Sequence, residues 1–396
     1  MCYFDSNHHP DPYTVFDVFI AAGATEKLTL PAGSAFLQLE DFLNVNTGFI
    51  PGYFSYDLKN ELEDLQSINP DHLRFPDLCF FVPETTIFIK GSDVQINNAN
   101  PEATWEIISN YDIPVPPVTN PVTVRSRFTR TEYEDTINEL KRHIQRGDIY
   151  EINFCQEFYA ENAEIDPLNT FIRLNKISPT PFSSYLKLNQ HYIISATPER
   201  FLSRRGQKLI SQPIKGTSAR SANLLKDEDQ KKKLQADEKE RAENVMIVDL
   251  VRNDLTKSAK PGTVKVEELF GIYSFKQVHQ LISTVVCEIE ESLSNPKIIS
   301  NTFPMGSMTG APKISAMVLA EKYERSKRGV YSGAVGYFGP NGDFDFNVII
   351  RTLLYNSENK YLSFHTGGAI TIDSDPGREY EECLLKAEAI REVLQA

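Results

Sequence analysis

The chain has 396 residues, 41% of them hydrophobic, enough to bury the core of one large domain or two ordinary ones. Its formal net charge of −13 is spread along the sequence, which speaks against a nucleic-acid footprint or an anionic membrane surface, so any anionic small molecule must be met by local basic groups or a metal. Five scattered cysteines lack a C-x-x-C pair or a zinc-spaced histidine, and no leader pattern or membrane-length apolar run is found; the expectation is a soluble, cytoplasmic protein with reduced thiols.

In chain order, residues 34–39, 78–82 and 85–89 predict strands from their aromatic and β-branched content. Residues 48–57, rich in glycine and aromatics, read either as packed core or as a ligand-facing loop. The proline-rich residues 114–121 predict an extended connector. A helix follows: Thr131 with Glu134 fits a capping box, Tyr133, Ile137, Leu140 and Ile144 share a face, and Gly147 supplies the stop. Residues 148–154 predict turn and strand, and 184–188 with 192–195 a strand pair leading to Glu199.

Next comes Pro213-Ile214-Lys215-Gly216-Thr217. A lysine between a proline turn and a glycine is by default a solvated loop residue, but on such a turn it can also be held in place. Residues 230–254 predict helix, with Glu240 and Glu243 on one face. Residues 306–313 put Pro312 at a helix start whose preceding amides could meet an anion; the spacing is not that of a nucleotide P-loop. Strands return at 333–338, 346–352 and 361–364, the last ending in His365-Thr366-Gly367-Gly368-Ala369, where glycine lets backbone approach a ligand. A closing helix from near Pro376 carries Glu379, Glu382 and, one turn on, Lys386. Each Glu-x-x-Glu pair alone is ordinarily a solvated face; two such helices brought together could build an oxygen cage for a hard dication, Mg2+ rather than zinc.

Several of these segments have a family likeness. Gly147-Asp148-Ile149-Tyr150, Thr197-Pro198-Glu199-Arg200-Phe201, Pro213-Ile214-Lys215-Gly216-Thr217, the run from Ala242 to Asp254, Gly310-Ala311-Pro312-Lys313, Ile350-Arg351-Thr352 and Glu379-Tyr380-Glu381-Glu382 make the chain from about Thr131 onward resemble the chorismate-utilising enzymes, with a weaker match at 52–57. The resemblance implies an α+β fold, stacked antiparallel β-sheets in the interior with helices outside, in one domain over 1–396: a shorter N-terminal part (1–121) and a chorismate-binding catalytic core (122–396). It implies Mg2+ on Glu240, Glu243, Glu379 and Glu382 holding the ring carboxylate of chorismate, with Lys386 beside it. Tyr331, Arg351 and the amides around Gly367 and Gly368 are implied at the enolpyruvyl carboxylate, and Gly216 and Thr217 against the ring.

Within that family, Lys215 implies amination at C4: the lysine attacks ring C2, Glu199 protonates the departing C4 hydroxyl, and ammonia replaces the lysine, giving 4-amino-4-deoxychorismate. No glutaminase signature stands in the chain, so ammonia is expected from a separate glutaminase subunit. The alternatives are amination at C2 with release of pyruvate, where alanine usually stands at 215, and addition of water at C2 by a lysine at the place of Glu151; a silent chorismate-binding subunit is the non-enzymatic one. Two positions depart from the pattern. Gln280 occupies a customary histidine position, leaving His279 one residue early and expected to be structural, and Ala369 replaces a common glycine.

Overall fold

The aromatic and β-branched runs pair into two antiparallel sheets in a computed structural model that describes residues 1–114, 120–276, 278–290 and 292–395. Among the described residues one sheet has eleven strands and the other ten. The first places Glu151–Ala160 beside Tyr361–Ile370 and continues through Thr352–Asn356, His191–Thr197 and Phe182–Leu188 to Cys2–Asp5 and Val18–Ala22. The second runs from Ile214–Ala219 through Val278–Glu288, Lys208–Gln212, Arg200–Arg205, Phe344–Val348 and Ala334–Phe338 to Ile50–Phe54. N-terminal strands therefore form one end of each sheet, hydrogen-bonded to strands from residues 122–396.

The larger core cluster joins residues of both sheets, such as Phe4, Phe19 and Leu186 from the first with Tyr53, Phe80 and Phe346 from the second. Helices Arg130–Arg146, Pro167–Ile177, Lys313–Tyr323 and Pro376–Gln395 contribute to a second cluster with Phe154, Ile194 and Phe364 of the first sheet. Helices Ala35–Val45, Glu238–Thr256 and Asn295–Thr302 supply Phe36, Val248 and Ile299 to the larger cluster. This is the α+β, sheets-inside architecture expected.

Local differences have local causes. Residues 34–39 begin the helix Ala35–Val45 rather than a strand, because Ala35, Phe36 and Leu39 are buried while Leu37 is exposed, a helical period that the short apolar run concealed. The capping box is Thr129 with Glu132, two residues earlier than Thr131 with Glu134; both pairs satisfy the pattern, and the backbone selects the first. Residues 230–254 fall in two helices, Leu224–Ala236 and Glu238–Thr256, divided at Asp237, whose side chain accepts from Glu240 N and caps the second. The strand at 361 runs on to Ile370, through both glycines. The predicted strand 346–352 is broken: Phe344–Val348 ends before Arg351, which has φ 52°, and Thr352–Asn356 enters the other sheet. Residues 50–54 are fully buried strand, whereas 115–119 of the predicted connector lie outside the described residues.

Candidate active site

The site forms where the Glu151–Ala160 and Ile214–Ala219 strands meet the helices Glu238–Thr256 and Pro376–Gln395. Lys215 lies on a strand, not a free turn: pairing with Val278–Glu288 shifts register between Ile214 and Thr217, and Gly216 takes φ +103°. Such a bulge re-aims a side chain. A Cβ at Gly216 would stand 2.8 Å from Leu281 and 3.1 Å from Glu240 Oε2, so glycine is needed for both conformation and room.

Lys215 Nζ donates to Glu151 Oε1 at 3.1 Å and lies 3.8 Å from Glu243 Oε2. Burial pushes its ammonium toward deprotonation, but Glu151 and Glu243 outweigh that, and its pKa is raised. Glu151, which the motif reading treated only as the place of another enzyme's lysine, is thus the counter-ion of the candidate nucleophile; its Oε2 is buried without a partner. Its apolar surroundings in the sequence gave no sign of this.

Glu199 is 5% exposed and is pushed up to about 7 by burial, against the Ser307 hydrogen bond, the charge of Lys215, the Ile214 amide and the charge of Lys386. Ser307 Oγ donates to Glu199 Oε1 at 2.6 Å. A carboxyl poised near neutrality can both give and take a proton. Ser307 was missed, although its segment had been singled out as an anion site; Lys313 in that segment instead pairs with Asp254 Oδ2 at 2.6 Å.

The two Glu pairs converge. A Cβ at Gly368 would lie 3.4 Å from Glu379 Oε2, 3.5 Å from Glu382 Oε1 and 3.7 Å from Lys386 Nζ. Burial and the neighbouring charges of Glu243 and Glu382 push Glu240 up to about 7. Burial also raises Glu243 and Glu379, while Lys386, 2.6 Å from Glu382 Oε1, holds Glu382 below the usual carboxylate range. Among the described residues no three His, Cys, Asp or Glu side chains already stand as a metal-ligand group. The donor chemistry nevertheless fits a hard cation: the site gathers carboxylate oxygens only, and burial, with the charges of Glu243 and Glu382 beside it, leaves Glu240 costly to ionise without one.

Behind this cluster, Lys386 Nζ donates to Gly367 O at 2.8 Å. A Cβ at Gly367 would be 2.0 Å from Phe154 O, so close strand approach requires that glycine. Tyr331 is buried, its hydroxyl 3.4 Å from Cys155 Sγ and its ring stacked on His365 at 4.9 Å. Burial lowers the Arg351 pKa, opposed by Tyr331 and Glu382. Arg351 lines a small cavity with Ala196, Pro198 and Gln280. Thr217 is exposed and pairs across the strands with Gln280. His279 is fully buried between Asp227 Oδ1 at 3.0 Å and Ser274 Oγ at 2.8 Å, the structural placement expected.

A half-buried lysine, a carboxyl poised near neutrality and a nest of carboxylates thus gather where the two strands meet the two helices. The chorismate binding enzyme family matches residues 3–392, and the chain belongs to that family. Aminodeoxychorismate synthase component 1 of Escherichia coli is 34% identical over 349 residues, 87% of this chain and 76% of that protein. Its Bacillus subtilis counterpart is 31% identical over 361 residues, with the same two coverages. Anthranilate synthase component 1 of Cereibacter sphaeroides is 32% identical over 367 residues, 87% of this chain and 73% of that protein. The crystal structure of anthranilate synthase component I from Streptococcus pneumoniae superposes with a TM-score of 0.83 at 24% identity, over 94% of this chain and 91% of that one, which identifies the fold.

Proposed function

We propose that the protein aminates chorismate at C4 to 4-amino-4-deoxychorismate, supplying the route to para-aminobenzoate and folate. Identity to the relatives does not separate C4 from C2 amination, since 34% and 32% identical proteins carry the two names. Lys215 carries the choice: it is held in a bulge against Glu151, and its charge reaches Glu199.

In this reading the nearest acceptor for the Lys215 proton is Glu151 Oε1, at 3.1 Å. The freed amine attacks ring C2, the two conjugated ring double bonds shift, and the C4–O bond breaks as Glu199 gives its proton to the leaving hydroxyl. Ammonia then forms the new C4–N bond while the C2–N bond to Lys215 breaks, with Glu199 taking back a proton. Arg351 and Tyr331 hold the enolpyruvyl carboxylate, the guanidinium fork suiting a bidentate grip, and the Gly367–Gly368 strand lets backbone close on it. Glu240, Glu243, Glu379 and Glu382 hold Mg2+, which when bound supplies positive charge toward the ring carboxylate. A separate glutaminase subunit delivers the ammonia, in keeping with the component naming of the relatives. No helix among the described residues is long and apolar enough to cross a membrane.

Incubation with chorismate, Mg2+ and ammonium, followed by mass spectrometry, tests the reading. 4-Amino-4-deoxychorismate is the expected product; direct release of fluorescent anthranilate would overturn it in favour of C2 amination.

A further inference from the structure

Glu199 has two oxygens, and only one of them can present a proton to a substrate. Ser307 Oγ donates to Oε1 at 2.6 Å. A protonated carboxyl has one O–H and one acceptor oxygen, so a donor fixed at Oε1 leaves the proton to Oε2. The serine is itself fixed. Asn153 Nδ2 donates to Ser307 O at 2.9 Å, Asn153 N donates to Thr309 O at 2.8 Å, and Thr309 Oγ1 donates to Gly306 O at 3.2 Å. Arg328, 2% exposed in its side chain, donates to Met308 O at 2.7 Å and to Asn153 O at 2.8 Å, and forks onto Glu324 at 2.9 and 2.6 Å. The strand that carries Glu151 and the turn that carries Ser307 are therefore held by one buried guanidinium.

We infer that Ser307 is the positioning residue of the acid: its hydroxyl, carried on backbone that Asn153 and Arg328 hold, selects which oxygen of Glu199 carries the transferable proton. The inference rests on the reading of Glu199 as the acid that protonates the leaving hydroxyl. Lys215, Lys386 and the Ile214 amide also act on this carboxyl, all favouring its ionised form; none of them is altered by a change at 307.

The test compares pH profiles of kcat/KM with chorismate and ammonium for the whole chain and for Ser307→Ala, Ser307→Thr and Glu199→Gln. Glu199 works as an acid only while protonated, so activity falls above its pKa. Removing a donor that favours the ionised form raises that pKa. In Ser307→Ala the alkaline limb is expected to move up by about one pH unit and kcat to fall about tenfold, with KM for chorismate little changed. Ser307→Thr, which keeps the hydroxyl, restores both. If Ser307→Ala does not fold, Ser307→Cys, a weaker donor, must give an intermediate limb. A wild-type limb in the Ala or Cys variant, beside an inactive Glu199→Gln, overturns the role of Ser307 and leaves Glu199 as the acid. A fully active Glu199→Gln overturns the acid assignment and this inference with it.

Discussion

The helices Glu238–Thr256 and Pro376–Gln395 offer the same Glu-x-x-Glu pattern to one cleft, but in different electrostatic settings. The second brings its own cation: Lys386, four residues after Glu382, holds that carboxylate in its charged form. On the first, Glu243 lies 3.6 Å from half-exposed Lys239 and 3.8 Å from Lys215, whereas Glu240 makes no ion pair among the described residues and is pushed up to about 7. Spacing creates the pair; the residue one turn further on decides whether the pair is already neutralised. The side lined by Glu240 is where an added cation has most to contribute.

If both helices hold ligands and Lys215 reacts, Lys215→Ala should leave both pairs intact and still lower kcat with ammonium by about a thousandfold or more, measured as product by mass spectrometry; near-normal turnover would break the division of labour. The helices themselves are compared by Mg2+ titration calorimetry. Glu240→Gln is expected to weaken Mg2+ binding by at least about tenfold, and Glu382→Gln, which also leaves Lys386 pointing at the site, by no less; unchanged binding in both would remove the metal from this cleft.

A smaller effect is expected in the pH profile of the unaltered enzyme. Glu199 near 7 predicts that kcat/KM declines as pH rises through about 7; a profile flat from pH 6 to 9 would contradict the acid role. The smallest effect concerns stability. Glu240 has a folded pKa above its ordinary value of 4.5, so its contribution is fully present below about 4.5 and is lost as pH rises through about 7. Glu240→Gln should therefore raise the Tm of the metal-free protein at pH 8 by about 2–4 °C and leave it unchanged at pH 4. A matching rise at both values would mean that packing, not charge, separates the helices.

Those residues whose chemistry is local were legible in the sequence. The lysine between Pro213 and Gly216, the two Glu-x-x-Glu pairs and the glycines at 367 and 368 are each set by spacing or backbone freedom, and the helix Pro376–Gln395 begins at the proline expected. What was not legible depends on partners far apart in the chain. Glu151 meets Lys215 across 64 positions and Ser307 meets Glu199 across 108; neither pairing leaves a periodic trace. Arg351 looked like part of a continuous strand, yet its positive φ ends one sheet's strand and starts the next. The helix Ala35–Val45 was misread because a window of six residues, four of them apolar, does not distinguish a period of two from one of 3.6.

The strand Cys2–Asp5 lies between Val18–Ala22 and Phe182–Leu188, with Cys2 opposite Leu186 and Asp5 opposite Ser183. Its outer neighbours follow it closely in the chain, but its inner neighbour is made much later. During synthesis, four of that sheet's eleven strands therefore wait with an unpaired edge until residues 182–188 have left the ribosome, and non-local pairing of this kind is slow. The strand Glu151–Ala160 waits longer still, because its partner Tyr361–Ile370 lies far downstream of it. Lys215 and Glu151 stand firmly in place only once these distant strands have paired, so chains truncated before residue 361 should carry the motif residues without the site.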